Sequence, residues 1–127
     1  MQKGLDVDDP AQTPLPLLPR LNLWIERGDR VVLSQWRVRL LEAIEETGSI
    51  SAAAERMNVP YHGAWNKLRE MEAGLEVRLV VRQRGGARGG STRLTAEGRD
   101  LVARFNRYAQ AVEETLARAF EQAFGDL

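Results

Sequence analysis

The residues best suited to chemistry lie between positions 60 and 73. There a helical period puts Ala64, Leu68, Met71 and Leu75 along one side and His62, Gly63, Asn66, Arg69 and Glu70 along the other. An asparagine amide carries a donor and an acceptor in one plane, matching the N6/N7 edge of adenine, and an arginine fork matches O6/N7 of guanine. An exposed helix side bearing both can read base edges in a major groove. A merely solvated polar side is the alternative reading of the same pattern, and His62 divides in the same way between a phosphate or base contact and a solvated ring. Tyr61 and Trp65 fall at the margin of the apolar side; Trp65 and Trp36, at helix spacing, read as core aromatics.

The charge around this segment is uneven. Lys+Arg and Asp+Glu balance at 18 each over the 127 residues, yet residues 60–94 hold seven bases against three acids. Lys67, Arg69, Arg78, Arg82, Arg84, Arg88 and Arg93 supply the excess, which reads as the electrostatic footprint of a polyanion partner or, alternatively, as a solvated face.

Other chemistries lack their residues. There is no cysteine, and His62 is the single histidine, so neither a disulfide framework, a zinc centre nor a Ser-His-Asp set can be assembled. Gly85 and Gly90 are spaced like a phosphate loop, but the lysine is missing and a strand, not a helix, follows. No enzyme activity, metal or cofactor is expected. Apolar and charged contents of 43% and 28% fit one globular domain. With no long apolar run, and acids and prolines in the first twenty residues, a cytoplasmic chain without a membrane span is expected.

The elements that must position these groups follow from turn and cap signals. Pro10, Pro14, Pro16 and Pro19 mark residues 1–19 as an extended, disordered tail. Leu21, Leu23 and Ile25 alternate with Asn22, Trp24 and Glu26, and Gly28-Asp29 turns the chain into residues 30–33 as a β-hairpin. Trp24 points off its apolar face, toward a partner or the chain's own helices. Ser34 caps a helix to Thr47, which Gly48 ends; Ser49 or Ser51 caps a short second helix over 52–57; a third runs over 60–73, with Pro60 in its first turn and Gly74 as its stop. A strand at 77–82, a glycine-rich loop and a return at 92–94 form a wing over 84–92. Thr95 then caps a helix to Phe124, about 44 Å long at about 1.5 Å per residue. Its stripe of Leu101, Phe105, Tyr108, Val112, Leu116 and Phe120 outruns the domain, and a second copy would cover it most simply. The fold class is thus mainly α with small β hairpins: a winged helix-turn-helix at 20–94 with its N-terminal hairpin, then a long dimerisation helix at 95–127.

The stretches Gly48-Ser49-Ile50-Ser51-Ala52-Ala53-Ala54-Glu55-Arg56-Met57, Tyr61-His62-Gly63-Ala64-Trp65, Leu79-Val80-Val81-Arg82-Gln83-Arg84-Gly85-Gly86 and Leu94-Thr95-Ala96-Glu97-Gly98-Arg99 resemble the LysR-like DNA-binding domain of the ModE family of molybdate-responsive regulators. The resemblance runs from about Leu21 to Tyr108. It implies a homodimer on double-stranded DNA, with the third helix in the major groove and the wing on the backbone. That would place Tyr61, His62, Asn66 and Arg88 at the DNA, with Ser51, Gly63, Lys67, Arg69 and Arg84 as further expected contacts. Trp24 joins the helix stripe as an expected dimer contact. The chain departs from the family at His62-Gly63, where basic residues are usual, so no operator sequence carries over. It stops at Leu127, without room for the family's sensing domains, so molybdate binding by this chain is not expected. The rival reading is a winged-helix module that docks a protein through the long helix and has lost DNA binding.

Overall fold

The computed structural model describes residues 14–85 and 90–127. Most of the expected tail, and Arg88 on the wing, lie outside the described residues. Strands β1 (Trp24–Arg27) and β2 (Arg30–Ser34) pair antiparallel around Gly28, whose φ of 66° suits a tight turn. Ser34 then leaves the strand in extended conformation, and its Oγ accepts from the Arg37 N–H at 3.1 Å, starting α1 (Gln35–Thr47). Gly48 ends that helix at φ 75°, donating to the Ile44 carbonyl at 2.8 Å.

Of the two serines that follow, Ser49 is the cap: its Oγ accepts from the Ala52 N–H at 3.0 Å, so α2 spans Ile50–Arg56 and begins two residues earlier than its alanines suggest. Ala53 and Ala54 are buried, as is Ala64 on α3 (Tyr61–Leu75), and such small side chains let the two helices close on each other. Pro60 is the cap residue itself, just outside the first turn.

The end of α3 corrects the expected boundary of 60–73. Gly74 is helical, and the stop is Glu76, which adopts the left-handed φ of 57°. Gly74 is needed for packing: a Cβ there would stand 2.6 Å from Cγ1 of buried Val32 on β2. The Arg27 guanidinium reaches from the hairpin to the Gly74 carbonyl at 3.0 Å, satisfying one of the acceptors that a helix end leaves open.

Strand β3 (Val80–Gln83) pairs antiparallel with β4 (Ser91–Leu94), from Val80 opposite Leu94 to Gln83 opposite Ser91. It starts three residues later than the sequence suggests because residues 77–79 are held by the end of α3, with the Leu79 N–H donating to the Glu72 carboxylate at 2.8 Å. Thr95 closes the wing and opens α4 (Ala96–Phe124): its N–H donates to the Leu79 carbonyl at 2.9 Å, and its Oγ1 accepts from the Gly98 N–H at 2.9 Å. The core gathers Val38, Leu40, Leu41 and Ile44 of α1, Leu68 and Met71 of α3, Leu79, Leu94 and Phe105. Among the described residues no helix is long and apolar enough to cross a membrane.

Two glycines are expected to respond oppositely to alanine. At Gly98 a Cβ would collide with the backbone carbonyl of Leu79, which cannot rotate away. Gly98→Ala should therefore lose about 1–3 kcal/mol in urea unfolding despite its better helix propensity. At Gly63 the nearest atom is Pro60 Cδ at 3.8 Å, so Gly63→Ala should gain about 0.5–1 kcal/mol. A stabilising Gly98→Ala would show that α4 and the wing are less tightly joined.

Candidate nucleic-acid interface

Helix α3 turns its two sides as their residue types require. Ala64, Leu68 and Met71 are fully buried, while Tyr61, His62, Asn66, Lys67 and Arg69 are exposed together on the outer side. Gly63 is half-buried there, and Ser51 is exposed on the first turn of α2. The margin residue Trp65 departs from the expected core position: it is 36% exposed, with the Arg69 guanidinium carbon 5.8 Å from its ring centre. Trp36 behaves as read, partly buried against the core.

Glu70 is the one acid among these outward groups, and it is neutralised from within. Arg37 of α1 donates an Nη2 hydrogen bond to its carboxylate at 2.9 Å, and Lys67 lies 3.7 Å away. A partner 33 positions distant leaves no local pattern, so Arg37 escapes sequence reasoning. Of the basic set, Arg93 lies 3.8 Å from Glu45. Arg69, Arg78, Arg82 and Arg84 have no acid partner among the described residues. Exposed cations without internal partners keep their full field for an incoming polyanion.

The wing is fixed at its root by two carboxylates that no local pattern marks. Glu72 accepts from the N–H groups of Leu79 at 2.8 Å and Val80 at 3.4 Å, tying β3 to α3. Glu45 of α1 accepts from the Leu94 N–H at 2.9 Å and from Arg99 at 3.3 Å, tying β4 to α1. The Leu94 N–H, then the Arg99 and Arg93 guanidinium groups, hold the Glu45 carboxyl below its usual value against the opposing pull of burial.

The stripe on α4 divides between two environments. Phe105, expected at a dimer contact, is 3% exposed and sits in the chain's own core, so it belongs to no outer surface; Leu101 packs against the same core. This follows from the first turns of α4 lying on α1. Beyond them Tyr108 is 46% exposed, and Val112, Leu116 and Phe120 remain half-buried. Trp24 is also exposed, its Nε1 donating to Glu26 of its own strand at 2.8 Å.

A helix-turn-helix followed at once by a basic hairpin, with the polar side of its second helix open, defines a winged helix-turn-helix DNA-binding domain. The family described as bacterial regulatory helix-turn-helix protein, lysR family, matches residues 36–99, half of the chain, and the chain belongs to it. Among its relatives, the molybdenum transport protein ModE of Azotobacter vinelandii is 38% identical over 119 residues, covering 91% of this chain and 43% of that protein. The molybdenum-pterin-binding protein MopB of Rhodobacter capsulatus is 38% identical over 87 residues, covering 68% of this chain and 32% of its own length. The chain therefore spans less than half of either relative. Among solved structures, the DNA-binding domain of CbnR in complex with DNA superposes with a TM-score of 0.54 at 25% identity, covering 68% of this chain and 94% of that domain.

The Glu45 latch makes a signed pH prediction. A carboxyl whose folded pKa lies below its unfolded value contributes stability that is complete above the unfolded value, ordinarily 4.5, and is lost as pH falls through the folded one. Glu45→Gln should cost on the order of 1 kcal/mol at neutral pH, and the gap from the parent should close as pH falls below that ordinary value. Equal loss at all pH values in thermal melts would remove the charge of Glu45 from the account.

Proposed function

We propose that this chain binds double-stranded DNA sequence-specifically as a homodimer and regulates transcription in the cytoplasm, α3 reading the major groove and the wing following the backbone. The observation that carries the reading is the outer side of α3: Asn66 and Arg69 stand open there, and its acid, Glu70, is neutralised by Arg37 and Lys67. That neutralisation also weakens the docking-module alternative, because it offsets the one charge on this side that would repel DNA. The family and the relatives support a regulator, not an enzyme. Because two relatives are named for molybdenum transport and molybdenum-pterin binding, we place the regulated genes in molybdenum metabolism and assign no molybdate contact to this chain.

Within this reading Ser51, Tyr61, His62, Gly63, Asn66 and Lys67 form the groove-facing set, Arg69 stands at its edge within reach of the backbone, and Arg84 and Arg88 follow phosphates. Two variants should fail differently. Asn66→Ala should lose about 1–3 kcal/mol on the preferred site and relax its specificity, since a bidentate base contact counts most on the right sequence. Arg84→Ala should weaken all duplexes alike and lower the salt slope by about one, because one phosphate fewer is neutralised. Fluorescence anisotropy at several salt concentrations separates them; unchanged specific binding by the double variant would overturn the interface.

The second copy is placed on the outer stripe of α4, with Tyr108, Val112, Leu116 and Phe120 as its contacts, and Trp24 as a flanking one. Leu21 lines one apolar groove with Tyr108, Val112 and Leu116 within one chain, which extends the apolar surface of the stripe toward the hairpin. Leu116→Glu should shift sedimentation toward the monomer at micromolar concentration, because a charge buried between two helices has no partner. A dimer of parental strength in Leu116→Glu would move the interface elsewhere.

A further inference from the structure

An indole held on the outer side of a reading helix leaves a large apolar ring partly in water, and its neighbours here give it a task. Trp65 and Arg69 lie one turn apart on α3, with the guanidinium carbon 5.8 Å from the ring centre, a cation–π distance. Tyr61, Trp65 and Arg69 share one four-residue stripe beside the His62 and Asn66 stripe. The acids nearest Arg69 in sequence are all engaged elsewhere: Glu70 with Arg37 and Lys67, Glu72 with the N–H groups of Leu79 and Val80, and Glu76 with Arg27. A groove of about 650 Å³ runs between α3 and the start of β3; beside Trp65 it is lined by the engaged acids Glu72 and Glu76 and by Arg69 and Arg78, cations unpaired among the described residues.

An arginine that must find a phosphate loses much rotamer freedom on binding. A ring that already holds the guanidinium removes part of that loss in advance. A cation–π contact draws on the charge of the guanidinium without using its N–H groups as hydrogen-bond donors, so these stay available to an acceptor. We propose that Trp65 is a positioning residue, holding Arg69 for a contact with a backbone phosphate beside the bases read by Asn66. The proposal rests on the DNA-binding reading above and adds to it an aromatic group that acts through its neighbour.

The test is a double-mutant cycle on the full chain, using a duplex selected by that chain from a random pool and a scrambled duplex. Arg69→Ala should weaken both duplexes and lower the salt slope by about one. Trp65→Ala should weaken binding about two- to fivefold and flatten the salt dependence toward that of Arg69→Ala. In the Arg69→Ala background it should add almost nothing, and Trp65→Phe, which keeps a ring face, should retain most of the parental affinity. Thermal melts check that the variants fold, and Trp65→Phe carries the test should Trp65→Ala fail to do so. Additive losses, or a Trp65→Ala variant with parental affinity and salt slope, would overturn the positioning role. A parent chain that selects no duplex at all would overturn the DNA-binding reading itself, a result distinct from additivity in a chain that binds.

Discussion

The reading surface depends on one peptide junction, at Leu79. Its side chain is fully buried in the core, its N–H donates to Glu72 of α3, and its carbonyl accepts from the Thr95 N–H that opens α4. Gly98 lies so close over that carbonyl that no Cβ fits between them. Three elements thus meet on a residue whose polar groups are both satisfied and which has no room to move. A hairpin with strands of four residues is marginal by itself. Its orientation must come from its root, where Leu79 fixes β3 and the Glu45 bond to the Leu94 N–H fixes β4.

The same carboxylates shape the electrostatics. Glu45, Glu70, Glu72 and Glu76 each face an internal donor or cation, which removes negative potential from the side where Arg69, Arg78, Arg82 and Arg84 stand. A chain with no net charge can therefore present a cationic surface. Folding separates the charges that composition merely sums. The acids serve as structural acceptors, and among the described residues these arginines pair with none of them.

Local rules were enough for much of the fold. Ser34, Gly48 and Thr95 cap or end helices as their types require, and the wing follows the third helix as the glycine-rich stretch implied. The failures came where a residue serves a distant neighbour. Gly74 reads as a stop because glycine commonly ends helices, but here it admits Val32 of β2, forty-two positions earlier. Phe105 keeps the period of the α4 stripe, yet period alone does not tell which turns lie on the domain and which pass beyond it. Trp65 reads as core because aromatics at helix spacing usually pack inward, and helix period carries no sign of its contact with Arg69. Arg37, Glu45 and Glu72 were invisible as partners because the groups they hold are backbone N–H groups or side chains brought close only by the tertiary fold.

Helix α4 connects this local architecture to assembly. Leu101, Val102, Phe105 and Ala109 are taken up by the chain's own core, and the helix then continues to Phe124 with its apolar positions half-covered. A free helical end of that length gains too little from propensity alone to stay ordered in water; it needs cover along its stripe. Pro19, Leu21 and Leu23 line a pocket with Leu116 on one flank, and Phe120 stacks on Phe124 with ring centres 5.5 Å apart. The side that remains is narrow and unbroken, with neither glycine nor proline between Arg99 and Phe124 to bend it. In the proposed dimer that stiffness matters, because two recognition helices must meet successive major grooves about 34 Å apart. A continuous α4, joined to Leu79 by Gly98 and Thr95, would leave little freedom between the proposed dimer axis and the reading face. The spacing of half-sites on DNA would then be set by the same backbone junction that holds the wing.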